Sequence, residues 1–325
     1  MSELWMHIGS HKTGTTSIQL ACRNALRTRG AGATHYLDVR KPETRIVRTS
    51  GKGKDFRCTI DMEAADAILR PTAGGPHAQR FVTSEEVLFW VSEPGMVADL
   101  ARLLRARFER VRIIVYLRRQ DELALSHRKQ VILRLPAARF YGISTDPLPR
   151  YAPHFDTYFD YASKLSDIWS AAFEKRNVHV VPYRGDALVG GDVVSDFAHR
   201  TKTAFAGNTP RAANRSLAGN QTFLGLRLAK TGVPAERCQD ILDRLAPRGA
   251  YLPAREDART FVGHFEASNK RLAREWLWND APFTFDTEFD GYPEEQTRFS
   301  NEDLTEMLDA VLPFTREPPG RADTG

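Results

Sequence analysis

Residues 9–19, Gly9-Ser10-His11-Lys12-Thr13-Gly14-Thr15-Thr16-Ser17-Ile18-Gln19, follow the apolar run Leu4-Trp5-Met6-His7-Ile8 and lead into a helical repeat. Strand, tight loop and helix start in that order form an anion cradle. Gly9 and Gly14 let the backbone turn and approach a ligand closely, and the amides of Thr13 to Ser17 are expected to face outward at the positive end of a helix dipole. Lys12 adds a mobile cation at the mouth. In a Walker A loop the lysine directly follows the second glycine, whereas Lys12 comes before Gly14, so this is not a standard triphosphatase loop. A plain βα turn capped by Thr13 would explain one hydroxyl and leave the lysine and the small polar run without a purpose.

Working outward, Ile18, Cys22, Ala25 and Leu26 recur at helical spacing, with Gln19, Arg23 and Arg27 on the other face and Gly30 as the expected stop. Short strands are expected at Thr34–Val39, Arg80–Thr83, Val111–Leu117 and Asn177–Pro182, between helices at Met62–Leu69, Pro94–Phe108 and Tyr158–Phe173. This alternation predicts an α/β fold with a central parallel sheet covered by helices. The C-terminal third reads as mostly helical, with an exposed helix and aromatic anchor at Asn269–Trp276. No repeat or long linker interrupts the chain, so one domain over 1–315 is expected, followed by a disordered tail at 316–325. Two segments read as irregular and ligand-bearing: the basic Lys41–Arg57, and Leu135–Pro153 with its four prolines.

The 325 residues, 42% hydrophobic, can bury a full core. The longest apolar stretches are too short to span a bilayer, and the N-terminus lacks the pattern of a secretory signal, so a cytoplasmic protein is expected. Cys22, Cys58 and Cys238 are too few and too scattered for a disulfide framework or a zinc site. A net charge of +5 admits nucleic acid as a partner, but no reading motif accompanies it and none is expected. A multiply charged nucleotide accounts for positive potential equally well.

The run Arg112-Ile113-Ile114-Val115-Tyr116-Leu117 reads as a buried strand with a basic exit at Arg118. A magnesium-nucleotide enzyme would place a carboxylate there. Lys12-Thr13-Gly14-Thr15-Thr16 resembles the 5′-phosphosulfate loop of sulfotransferases that use 3′-phosphoadenosine 5′-phosphosulfate (PAPS), and Arg118 followed by Ser126 resembles their 3′-phosphate motif. The resemblance implies a P-loop-like sheet of about five strands with a helical C-terminal part. It also implies transfer of a sulfonate to a hydroxyl, on a sugar or glycolipid among other acceptors, with release of adenosine 3′,5′-bisphosphate (PAP) and no metal. Lys12 would contact the bridging oxygen and sulfonate, His11, Thr13, Gly14, Thr15 and Thr16 would shape the cradle and hold the 5′-phosphate, and Arg118 with Ser126 would take the 3′-phosphate.

An alcohol acceptor must lose a proton, which calls for a base near the loop. Arg80-Phe81-Val82-Thr83-Ser84-Glu85-Glu86 places carboxylates at the C-terminal end of a strand, where open α/β sheets bind ligands. Glu85 is the first choice and Glu86 the second. The structural account competes directly: Ser84 caps a helix and both glutamates complement its dipole. His7 reads as a core histidine, and His11 as a residue that shapes the loop. Two other readings stay open, an atypical P-loop kinase and a nucleotide-binding regulatory protein without turnover.

Overall fold

Apolar alternation at Leu4, Trp5, Met6 and at Val111 to Leu117 produces the two strands around which the sheet is built. The computed structural model describes residues 2–27, 34–39, 44–70, 79–203, 205 and 216–315. Gly30, residues 41–43 of the basic segment and the tail at 316–325 lie outside the described residues. In chain order the strands are β1 (Ser2–His7), β2 (Thr34–Tyr36), β3 (Val47–Ser50), β4 (Arg57–Ile60), β5 (Gln79–Ser84), β6 (Arg110–Leu117), β7 (Val178–Pro182), β8 (Leu277–Trp278) and β9 (Ala281–Pro282). Five of them form one parallel sheet in the order β2-β5-β1-β6-β7. The fold is α/β, with this sheet flanked by helices.

The chain divides into two compact units. The first, Met1–Leu123, Ala152–Asn214 and Gly263–Thr287, contains the sheet. Successive side chains of a strand point to opposite faces, and both faces here are apolar. On one, Trp5, Val82, Ile114, Tyr116 and Val181 pack with Ile18 and Cys22 of the helix Thr15–Arg27 and with Val193 and Phe197 of the helix Val193–Thr201. On the other, Leu4, Met6, Phe81, Ile113 and Val115 are fully buried, and the helices Pro94–Arg105 and Ala171–Phe173 pack against β6. A strand buried on both faces must be apolar throughout, which is why these strands are plain in the sequence.

Several elements depart from expectation. The basic segment is largely an antiparallel ribbon, Val47 opposite Ile60 and Ser50 opposite Arg57. Tyr158–Phe173 is three pieces, Asp156–Phe159, a π-helical stretch Ser163–Ser170 and Ala171–Phe173. β2 is half the expected length. Gln19, expected on an outward face, is buried and donates to the Ser84 carbonyl at 3.1 Å. The expected helix near Asn269 spans Glu266–Glu275 and ends at the buried Trp276.

The second unit is Ala124–Tyr151, Arg215–Val262 and Glu288–Gly325. Its core gathers Val131, Ile132, Leu226, Cys238, Leu242 and Met307 from helices that include Gly219–Lys230, Ala235–Leu242 and Asn301–Thr315. Leu135–Pro153 is not wholly irregular, because Pro136 starts a short helix to Tyr141. The loop beyond it folds over Arg128, whose buried guanidinium donates to the carbonyls of Ser144 at 2.9 Å and Asp146 at 3.1 Å. Among the described residues no helix is long and apolar enough to cross a membrane.

Candidate functional site

Past His7 the backbone continues to pair with β6. Ile8 N donates to Ile114 O at 3.1 Å, Tyr116 N to Gly9 O at 3.0 Å and Ser10 N to Tyr116 O at 3.2 Å. The chain then leaves the sheet through Lys12 at φ 59° and Gly14 at φ 79°. A β-carbon on Gly14 would lie 2.4 Å from Val193 Cγ1, so close approach as well as backbone conformation demands glycine there. The loop is braced from inside, with Thr13 Oγ1 donating to Ser10 O at 2.6 Å. Thr13 therefore ties the loop to itself and does not cap the helix. The amides of Ser17 and Ile18 donate to Gly14 O at 2.9 and 3.1 Å, so Ser17 drops out of the outward-facing set. Thr15 and Thr16 open the helix, where amides have no intrahelical acceptor. Thr15 is buried and Thr16 exposed.

His11 is buried beneath this loop. Its amide donates to Tyr158 Oη at 3.2 Å, its Nδ1 lies 2.9 Å from the same oxygen, and its ring centroid is 4.3 Å from that of Trp90. His7 is buried too, with Nδ1 2.8 Å from Ser84 Oγ, and burial pushes its pKa down to about 4. It is a neutral core histidine at physiological pH.

The chain leaves β1 toward β2 and leaves β6 toward β7, so their exits part on either side of a crevice. Lys12 and Arg118 stand on those exits. Burial pulls the Lys12 ammonium below its usual range; the Glu86 carboxylate opposes that shift and the Arg118 guanidinium adds to it. Those three charges thus share one electrostatic environment. Arg118 donates from Nε to Glu122 at 2.9 Å, while its carbonyl accepts from Tyr161 Oη at 3.0 Å. The neighbouring Arg119 forks onto buried Asp121 at 2.8 and 2.9 Å. Asp121 is therefore a buried ion-pair partner. Ser126 lies on the helix Gln120–Ile132, which begins two residues after Arg118.

The two glutamates diverge. Glu85, 1% exposed, folds its carboxylate onto the Val87 amide at 3.0 Å and caps the short 3₁₀ helix Glu86–Trp90. Ser84, expected as the cap, spends its hydroxyl on His7. Glu86 is partly exposed and is the carboxylate that acts on Lys12. A β-carbon on Gly9, at φ 111°, would lie 2.8 Å from the Glu86 carbonyl, so this helix packs directly on the loop. Buried Lys164 donates to Val91 O at 3.2 Å, and Cys58 Sγ to Val87 O at 3.4 Å. They hold the helix from outside.

The sequence did not point to Trp90, Lys164 or Tyr183. Tyr183 follows β7, donates its amide to Leu117 O at 2.7 Å, and places its hydroxyl 3.7 Å from where a Gly14 β-carbon would stand. Burial raises its pKa and Arg118 opposes the shift. Its place directly after an expected strand beside the crevice was a usable signal.

No protein-family model and no curated protein matches the chain. Among solved structures the chain is similar to one titled as a sulfotransferase from Alicyclobacillus acidocaldarius, with 14% identity and a TM-score of 0.37, over 83% of this chain and 94% of that one.

Proposed function

We propose that the protein transfers a sulfonate from PAPS to a hydroxyl acceptor. The observation that carries this reading is the grouping of Lys12, Arg118 and Glu86 about one glycine-bounded loop at the C-terminal edge of the sheet. Two cations beside helix-start amides suit a ligand with more than one phosphate-like group. The close approach of Gly14 to Val193 suits a loop moulded around backbone contacts.

The acceptor oxygen attacks sulfur as the bond from sulfur to the phosphate oxygen breaks, and the acceptor proton leaves. Lys12 stabilises the charge that grows on the departing phosphate oxygen. Arg118 holds a second anionic group of the donor and keeps it in line. Glu86 takes the acceptor proton, a role for which its position is better than that of Glu85, whose carboxylate is committed to its own helix.

Calorimetry with PAP, adenosine 5′-phosphate and magnesium-ATP tests the donor assignment. PAP is expected to bind most tightly, and Arg118→Ala to erase its advantage over the monophosphate. Equal wild-type affinity for the two would sink the assignment, and preference for magnesium-ATP would favour a kinase. For the base, Glu86→Gln is expected to lower kcat about a hundredfold. Glu85→Gln should leave turnover near wild type and cost about 1 kcal/mol in urea unfolding through the weakened cap. The reverse pattern would return the base to Glu85.

A further inference from the structure

β6 is charged at both ends. Arg118 follows its exit and belongs to the crevice described above, whereas around its start Arg105, Arg107, Arg110 and Arg112 stand against Glu109 alone. Arg107 is taken up by an ion pair with Asp66. At a rise of about 3.3 Å per residue the strand runs about 23 Å from Arg110 to Leu117, so its two ends are separate places.

Where β6 and β7 begin, the surface is hollowed into a cavity of about 730 Å³. That size suits a small molecule. Its charged lining is Arg105, Arg110, Arg112 and Arg176 against Glu109 and Glu174, a balance of +2. Glu3, on β1, is shared by Arg80 at 3.5 Å, Arg110 at 3.9 Å and Arg112 at 2.8 Å, and counting Glu3 with Arg80 leaves that balance unchanged.

Two of these guanidinia are loosely held. Among the described residues the carboxylate nearest Arg105 is Glu174 at 3.7 Å, and the one nearest Arg110 is Glu3 at 3.9 Å. Both side chains are about half exposed, and neither donates a hydrogen bond among the described residues. Each therefore offers a whole fork of N–H groups to the cavity.

Glu174 marks where an anion is held. It sits at φ 66° and ψ 135°, a conformation that favours glycine, yet the chain keeps a glutamate there. Backbone strain of this kind collects at ligand sites. The carboxylate lies 2.7 Å from Arg176 and 3.7 Å from Arg105, and so stands in for an oxyanion between two guanidinia.

We infer that this cavity is a second binding site, for a small molecule that carries a phosphate monoester. Two negative charges match the balance of the lining, and phosphate oxygens accept in pairs from guanidinium forks. A sulfate monoester has the same shape and half the charge. On binding, the phosphate takes the place of the Glu174 carboxylate beside Arg105. The site is independent of the sulfonate-transfer reading, because it lies at the opposite end of β6 from Arg118.

The test is calorimetry of the full-length chain carrying Lys12→Ala and Arg118→Ala, so that the loop takes no share of the signal. The probes are phenyl phosphate and phenyl sulfate at about pH 8, where the phosphate is a dianion. Phenyl phosphate should bind saturably and more tightly than phenyl sulfate. Adding Arg105→Gln and Arg110→Gln, two half-exposed positions, should weaken it about tenfold. Adding Glu174→Gly instead should tighten it, since the competing carboxylate is gone, and should raise the urea midpoint by relaxing the backbone. No saturable binding of phenyl phosphate, equal affinity for the two probes, arginine variants that bind as their parent, or a Glu174→Gly chain that gains no affinity would each overturn the inference. Failure of PAP to bind the wild-type chain would sink the donor reading and leave this site standing.

Discussion

Replacing Lys12 by alanine is expected to lower kcat for sulfonate transfer by about 10²- to 10³-fold, the range for loss of a single preorganised donor at a developing charge. Chemistry of this kind leaves little for the protein to do beyond positioning and charge stabilisation, so removing the cation removes a main contribution. The backbone supplies an unusual control. Lys12 stands at φ 59°, where a side chain with a β-carbon costs roughly 1 kcal/mol. Lys12→Gly should therefore be as inactive as Lys12→Ala and yet gain about 0.5–1 kcal/mol in stability. Turnover by labelled-donor transfer and midpoints by urea unfolding check both halves. A glycine variant that loses stability along with activity would make the lysine a structural residue.

Lys164 should show itself in the pH dependence of stability. It is 2% exposed, and burial pushes its pKa from 10.5 down to about 7, with Cys58 and Asp160 opposing the shift. Between those values the unfolded chain binds a proton that the folded chain does not, so stability rises with pH. Below about 7 Lys164 is protonated in both states and its share of the slope vanishes. Above 9 the thiols of Cys22 and Cys58, pushed up to about 12, turn the slope the other way. The window is therefore pH 7 to 9, with a gain of roughly 2 kcal/mol. Lys164→Met should lack that gain. At pH 6 it should be more stable than wild type by roughly 2–4 kcal/mol, once the lost donor to the Val91 carbonyl is subtracted. Urea unfolding of both proteins at four pH values decides it, and parallel profiles would refute the assignment.

The strands of the sheet were legible because double-sided burial leaves a continuous apolar run, as at Val111 to Leu117. The β3–β4 ribbon was hidden for the opposite reason. Only one of its faces is buried, so Arg48, Ser50 and Arg57 break up the apolar pattern, and Gly51-Lys52-Gly53 reads as loop. The helix Pro136–Tyr141 is too short to display a period. At the site, the Lys12 loop could be read because its residue types and spacing are local. The choice between Glu85 and Glu86 could not, since adjacent residues exchange roles with a one-residue shift in where the helix begins. Trp90, Tyr158 and Tyr183 reach the loop through sheet order and through packing across more than 65 residues of chain, which no local motif encodes.

The sheet order has a further consequence for self-association. Among the described residues its two outer strands are β2, three residues long, and β7, which ends in Pro182 with no N–H to offer. Short or proline-ended borders give an incoming strand little to template on. Even at high concentration, copies of this protein should resist joining sheet to sheet, and aggregation on storage should begin instead from chains that have partly unfolded.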